Sequence, residues 1–240
     1  MSLNLNVFRE SWPLRRPFSI SRGTKEKADV VVIEITDGKY CGRSECVPYL
    51  RYGETIDGVV ADIEFFFDVM LESKSQSEFL TKMPPGAARN ALDNAYWDYS
   101  AKSVNSRVWK LIGLSAPKNV VTAETIGVDT QENMAKEARR LKNAPLIKVK
   151  LNNKNVISSV VAVRENAPQA RIIVDPNEGW SFYELEQFSP ILKDLNIEMI
   201  EQPVPAKDDF CLLEYDCPVD ICADESCHTL ADLPKLIGKY

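Results

Sequence analysis

From residue 120 onward, short runs of β-branched and aliphatic residues alternate with amphipathic stretches at helical spacing. The pattern predicts strands at 120–128, 146–151, 170–174, 197–200 and 219–223. Each is followed by a helix, at 131–142, 156–166, 183–195, 208–214 and 229–237. Five β-α units in succession predict a parallel sheet with covering helices. Right-handed crossovers then place every strand C-terminus on one side of the sheet, where α/β proteins collect their chemistry. The first half reads differently. Residues 5–8 and 28–35 carry strand patterns, the second rich in Val and Ile and closed by Asp37-Gly38. Helices are predicted at 56–71, with Ile56, Val59, Val60, Ile63, Phe66, Phe67 and Met70 on one face, and at 87–100, after Pro84-Pro85-Gly86. The aromatic residues in these helices read as core. The chain thus divides into an α+β part over 1–117 and a βα-repeat part over 118–240.

Composition narrows the classes. The 240 residues are 45% hydrophobic, enough to bury a sizeable core, yet no apolar run approaches the ~18 residues a membrane helix needs. A net charge of −6 argues against nucleic acid or an anionic membrane as a partner. The N-terminus shows no basic start followed by an apolar stretch, so no secretory signal is expected. Six cysteines without a C-x-x-C pair, with His228 as the single histidine, leave no zinc-type set. They read as reduced thiols of a cytoplasmic protein. Self-association is left open.

Polar residues mark where the repeat strands end. Lys148 and Lys150 fall on the second strand, Asp175 ends the third, Glu201 the fourth and Asp224 the fifth. The steps from Lys150 to Asp175, Glu201 and Asp224 are 25, 26 and 23 residues, about one β-α unit each. Equal spacing puts all of them on one rim of the sheet. Three carboxylates converging there repel one another unless a cation joins them, and oxygen donors of this kind suit Mg²⁺. Lys148 and Lys150, two apart on a strand, face the same way. Neighbouring ammonium groups disfavour each other's charge, which suits a general base. A single strand-end Asp is more often a turn or cap residue, and Lys-x-Lys alone is an ordinary solvated face. It is the register across four strands that points to a site.

At these residues the chain resembles the enolase superfamily in its muconate-lactonising branch, and within it the L-Ala-D/L-Glu dipeptide epimerases. The resemblance rests on Lys148-Val149-Lys150, Asp175-Pro176-Asn177-Glu178, Glu201-Gln202-Pro203 and Ala223-Asp224-Glu225-Ser226. In the first half it rests on Ser21-Arg22-Gly23, Glu45-Cys46-Val47-Pro48-Tyr49 and Gly86-Ala87-Ala88-Arg89-Asn90. It implies an α+β capping domain followed by a (β/α)₇β, TIM-like barrel, of which about five βα units are present here. It also implies an Mg-dependent isomerase acting on a dipeptide such as L-Ala-L-Glu by 1,1-proton transfer through a metal-stabilised enolate. Asp175, Glu201 and Asp224 correspond to the Mg²⁺ ligands, Lys150 to the base that takes the α-proton, and Lys148 to its partner on the substrate carboxylate. Arg22 matches the loop residue that meets an acidic substrate side chain, and Tyr52, next to Arg51, lies on a second capping loop. Asn177 reads either as a helix cap or as support behind the ligands, and Glu225 as support.

Family epimerases carry a second lysine on the next strand and an Asp-x-Asp pair further on, both falling beyond Tyr240. A truncated, impaired chain is therefore the expectation from this pattern. A cycloisomerase, a β-elimination enzyme of the same superfamily, and a non-catalytic metal-binding fragment are the alternatives it leaves.

Overall fold

A computed structural model describes residues 3–240. They form two compact units. One comprises the chain up to Arg15 together with Lys27–Asn119, the other Arg16–Glu26 together with Val120–Tyr240.

The first unit is a three-stranded sheet and its helices. Strands β1 (Asn4–Ile20), β2 (Gly23–Thr36) and β3 (Cys41–Cys46) lie in the order β1-β2-β3. The pairing of β2 with β3 is antiparallel, from Val31 opposite Cys46 to Thr36 opposite Cys41. Helix α1 (Ile56–Glu72) is capped by the Thr55 side chain, which accepts from the Gly58 N–H. It buries Val59, Ile63, Phe67 and Met70 at helical spacing. A shorter helix, α2 (Gln76–Lys82), follows, then α3 (Ala87–Ser103) and the single turn α4 (Val108–Leu111). The buried face of α3 is mostly alanine (Ala88, Ala91, Ala95) around Leu92, which lets its backbone come close to the sheet. Gly42 of β3 answers it. A Cβ there would stand 2.1 Å from the Ala95 carbonyl oxygen and 2.4 Å from the Tyr99 nitrogen.

The second unit is a five-stranded parallel sheet, β4 (Glu124–Ile126), β5 (Leu146–Lys150), β6 (Arg171–Asp175), β7 (Ile197–Glu201) and β8 (Asp220–Cys222), in sequence order. Helices α5 (Gln131–Arg140), α6 (Val156–Asn166) and α7 (Phe182–Asp194) connect the strands; a 3₁₀ helix, Ala206–Glu214, takes the next place, and α8 (Leu233–Leu236) is one turn. Ile147 and Val149, Ile172 and Val174, and Ile200 are fully buried in one core with Val160, Val163, Leu185 and Leu192. Strand side chains alternate in direction, so packing these positions against the helices turns Lys148, Lys150, Asp175 and Glu201 to the other face. Each fully buried aliphatic side chain contributes ~1.5–3 kcal/mol, so burial fixes which face the polar residues take. The hairpin end Arg16–Glu26 belongs to this unit, with the Val128 N–H donating to the Ser19 carbonyl at 3.1 Å. Among the described residues no helix is long and apolar enough to cross a membrane.

Candidate active site

Strand register brings the predicted residues together. Lys150 lies opposite Asp175, Lys148 opposite Ile173, and Glu201 opposite Cys222. The chain turns sharply beyond these positions. Asn177, Glu178 and Gln202 all adopt positive φ, of 49°, 64° and 35°. Non-glycine residues hold such angles when the surroundings impose them, at a cost of roughly 1–3 kcal/mol each. Here the restraints are visible. The Glu178 N–H donates to the Gln202 carbonyl and the Gln202 N–H to the Cys222 carbonyl, both at 2.8 Å. The three strand tips are thereby tied to one another.

Both lysines point inward. Lys148 Nζ donates to the two carboxylate oxygens of Glu201, each at 2.7 Å, and lies 2.8 Å from Asp175 Oδ2. Lys150 Nζ donates to the same Asp175 oxygen at 2.5 Å and to Asn177 Oδ1 at 3.0 Å. Asp175 is completely buried, and its other oxygen accepts from the Asn177 N–H at 2.8 Å. Asn177 therefore supports Asp175 and Lys150. The cap of α7 is Ser181, which with Glu184 forms a capping box.

The carboxylates respond differently to this arrangement. Burial pushes Asp175 upward, but hydrogen bonds from Lys148 and Lys150 outweigh it and hold the group below the ordinary aspartate value. Glu201 is raised by burial despite its bond to Lys148, with Asp175 and Asp224 adding repulsion. Asp224 is raised by burial and by the charges of Glu225 and Asp175. Burial opposes the charge on Lys148, yet Asp175 and Glu201 more than compensate and lift it above the usual lysine value. The neighbouring ammonium expected to disfavour that charge is thus outweighed by the two acids.

Among the described residues no group of three or more His, Cys, Asp and Glu is drawn closely enough to hold a metal ion. The Lys148 ammonium lies between Asp175 and Glu201 instead. The donor chemistry still fits a hard divalent cation. Asp175, Glu201 and Asp224 offer only oxygen, and Glu201 and Asp224 both remain burdened by neighbouring negative charge.

Arg22 reaches the same rim. Its Nη1 donates to the Asn177 carbonyl at 2.8 Å and lies 2.9 Å from Glu225 Oε1 and 3.3 Å from Glu178 Oε2. Glu225 also accepts from the Asn177 side-chain amide at 3.4 Å, while its Oε2 is buried without a hydrogen-bond partner. Arg51 and Tyr52 belong to the first unit, in the 3₁₀ turn Leu50–Tyr52, where Tyr52 packs on Tyr49 with ring centroids 5.5 Å apart.

Two residues escaped the sequence reading. Gln202 is fully buried. Its Oε1 accepts from the Asp224 and Ser226 N–H groups at 2.9 and 3.0 Å, and its amide donates to Val204, Ser226 and Tyr240. It sets the backbone that carries Asp224. Glu178 joins Arg22 to the Ala206 N–H, the latter at 2.9 Å. Both stand in the strand-tip motifs, so position marked them; their partners come from distant segments that no spacing rule connects.

Residues 2–113 match the mandelate racemase / muconate lactonizing enzyme N-terminal domain, and residues 133–239 match the enolase C-terminal domain-like family. The L-Ala-D/L-Glu epimerase of Escherichia coli K12 is 42% identical over 238 residues, covering 98% of this chain and 74% of that protein. A crystal structure of an enolase family member from Agrobacterium tumefaciens, with homology to dipeptide epimerases and holding sodium and L-Ala-L-Glu, superposes with a TM-score of 0.95. It is 41% identical and covers 100% of this chain and 73% of its own. A dipeptide epimerase from Enterococcus faecalis V583, complexed with Mg and L-Leu-L-Tyr, gives 0.87 at 27% identity, covering 100% and 72%. Sequence and fold agree: the chain belongs to the mandelate racemase/muconate lactonizing group of the enolase superfamily.

Proposed function

We propose that this protein works on a dipeptide ending in an acidic residue, of the L-Ala-L-Glu type, in an epimerisation for which the described residues supply one base, Lys150, able to exchange the proton on the carbon α to the terminal carboxylate on one face. The observation that carries the reading is the cluster of Lys148, Lys150, Asp175 and Glu201 on adjoining strand tips, with Arg22 on the same rim. The E. coli relative named for this activity and the Agrobacterium structure holding L-Ala-L-Glu support it. Asp175, Glu201 and Asp224 are the residues that would hold Mg²⁺. When bound, such a cation supplies Lewis-acid stabilisation of negative charge on the substrate carboxylate.

Lys150 is the base. Its Nζ is held on the rim between Asp175 and Asn177, where a proton on the substrate α-carbon would be presented to it. Lys148, held by two acids, stays charged and donates to the substrate carboxylate. Asn177 orients Lys150 through Oδ1, and Gln202 fixes the Asp224 backbone. Arg22 offers a guanidinium to the acidic side chain. The six unpaired thiols suit a reducing compartment, and the reading places the protein in the cytoplasm.

The test is deuterium wash-in. With Mg²⁺ and L-Ala-L-Glu in D₂O, proton NMR should show loss of the glutamyl α-proton signal. Lys150→Ala should slow the exchange by about 10³-fold, in the range expected for removal of a general base, and EDTA should stop it. No exchange by the native chain, or exchange indifferent to Lys150→Ala, would remove the reading.

A further inference from the structure

Arg22 already carries two carboxylates. Glu225 Oε1 and Glu178 Oε2 both lie against its Nη1, and their side chains are only 4% and 9% exposed. An acidic substrate side chain arriving there has to compete with carboxylates already seated on the guanidinium. The two acids are not held alike. Glu178 keeps its second oxygen on the Ala206 N–H, whereas Oε2 of Glu225 is buried with no hydrogen-bond partner. Glu225 makes the shorter contact with Arg22, 2.9 against 3.3 Å, and so is the carboxylate that occupies the guanidinium, while its other oxygen has nothing to hold it there. The same cluster reaches the base, since Asn177 touches Arg22 through its carbonyl, and Glu225 and Lys150 through its side chain.

We infer that Glu225 is a specificity-determining latch: it occupies the Arg22 guanidinium, and a substrate carboxylate must take its place. The inference rests on the proposed dipeptide reading and adds a residue that sets the preference between acidic and neutral side chains. Glu225 acts through Arg22 and is a positioning residue. Removing its charge takes this competitor off Arg22 and should favour acidic substrates selectively.

The test has two arms on the whole chain. In the first, kcat and KM for α-proton exchange in D₂O are measured for L-Ala-L-Glu and L-Ala-L-Leu with native protein and Glu225→Gln. The latch predicts a KM for L-Ala-L-Glu lowered about five-fold, equivalent to about 1 kcal/mol, and a matching rise in the acidic-to-neutral ratio of kcat/KM. A merely structural Glu225, propping the loop that bears Asp224, would instead weaken both substrates together. The second arm needs no substrate. In limited trypsin digestion, cleavage after Arg22 should speed up about five-fold in Glu225→Gln relative to cleavage after Lys82 in the first unit, which reports general loosening. An acidic-to-neutral ratio that stays level or falls overturns the latch. If the native chain exchanges the α-proton of neither dipeptide, the proposed function fails and the digestion decides alone, with cleavage at Arg22 keeping pace with Lys82 as the overturning result. Should Glu225→Gln fail to fold, Glu178→Gln is measured instead and must shift the same quantities in the same direction.

Discussion

The carboxylates of the site do not share one electrostatic fate, and their differences set how it titrates. Asp175 is held below its ordinary value by two lysines, so its ionised form stabilises the fold above the ordinary aspartate range, and that contribution is lost as pH falls through the lowered value. Glu201 and Asp224 behave oppositely. Burial and neighbouring acids raise them, so the folded chain favours their protonated forms, and this contribution disappears as pH rises through the raised values. A divalent cation needs those groups ionised and competes with their protons. Mg²⁺ affinity, measured by titration from mildly acidic to neutral pH, should therefore rise with pH above the ordinary carboxylate range and then level off. A flat profile through that range would mean that Glu201 and Asp224 are not ligands. Much of this was legible in the sequence: the acids and lysines occupy strand ends at near-equal intervals, and register follows from the repeat. The ion pairs were not legible, because side-chain partners depend on rotamers that spacing does not fix. Nor was the buried Gln202 network, which joins residues 22, 24 and 38 positions apart.

Elements governed by periodic burial were read well, and those governed by pairing were not. Helix α6 has the predicted limits, and β5, β6 and β7 match within a residue or so, since each carries its own apolar signature. Strand β1 runs from Asn4 to Ile20, far beyond the predicted 5–8. Its charged residues and two prolines hide it; as an edge strand it tolerates both. Strand β3, Cys-Gly-Arg-Ser-Glu-Cys, has little apolar alternation and is defined by its ladder to β2. The predicted helix at 229–237 shrinks to the turn Leu233–Leu236, which has Pro234 in its first turn. The predicted helix at 208–214 is 3₁₀. Element packing also yields a prediction outside the site. A Cβ at Gly42 collides with the backbone of α3, which cannot move aside as a side-chain tip can. Gly42→Ala should lower stability by about 3 kcal/mol, read as a lower urea midpoint with an unchanged slope. A shift below about 0.5 kcal/mol would show that α3 does not sit against β3 as described.

Across the whole molecule, the overall acidity and the local chemistry answer different questions. A net charge of −6 describes the surface, while the strand tips of the second unit gather ammonium, guanidinium and carboxylate groups in one buried network. That network exists because parallel βα units deliver each strand end to the same side. The fold-level reading therefore came from repetition, and the site-level reading from what stands where the repeats end. Asp175, Glu201 and Asp224 are proposed to serve a single divalent cation beside the lysine pair. Calorimetric titration of the chain with Mg²⁺ tests it most directly. The account predicts one binding site, lost or weakened about 100-fold or more by each of Asp175→Asn, Glu201→Gln and Asp224→Asn, since each removes an oxygen ligand's charge. Absence of Mg²⁺ binding to the native chain, or binding that survives all three substitutions undiminished, would contradict it.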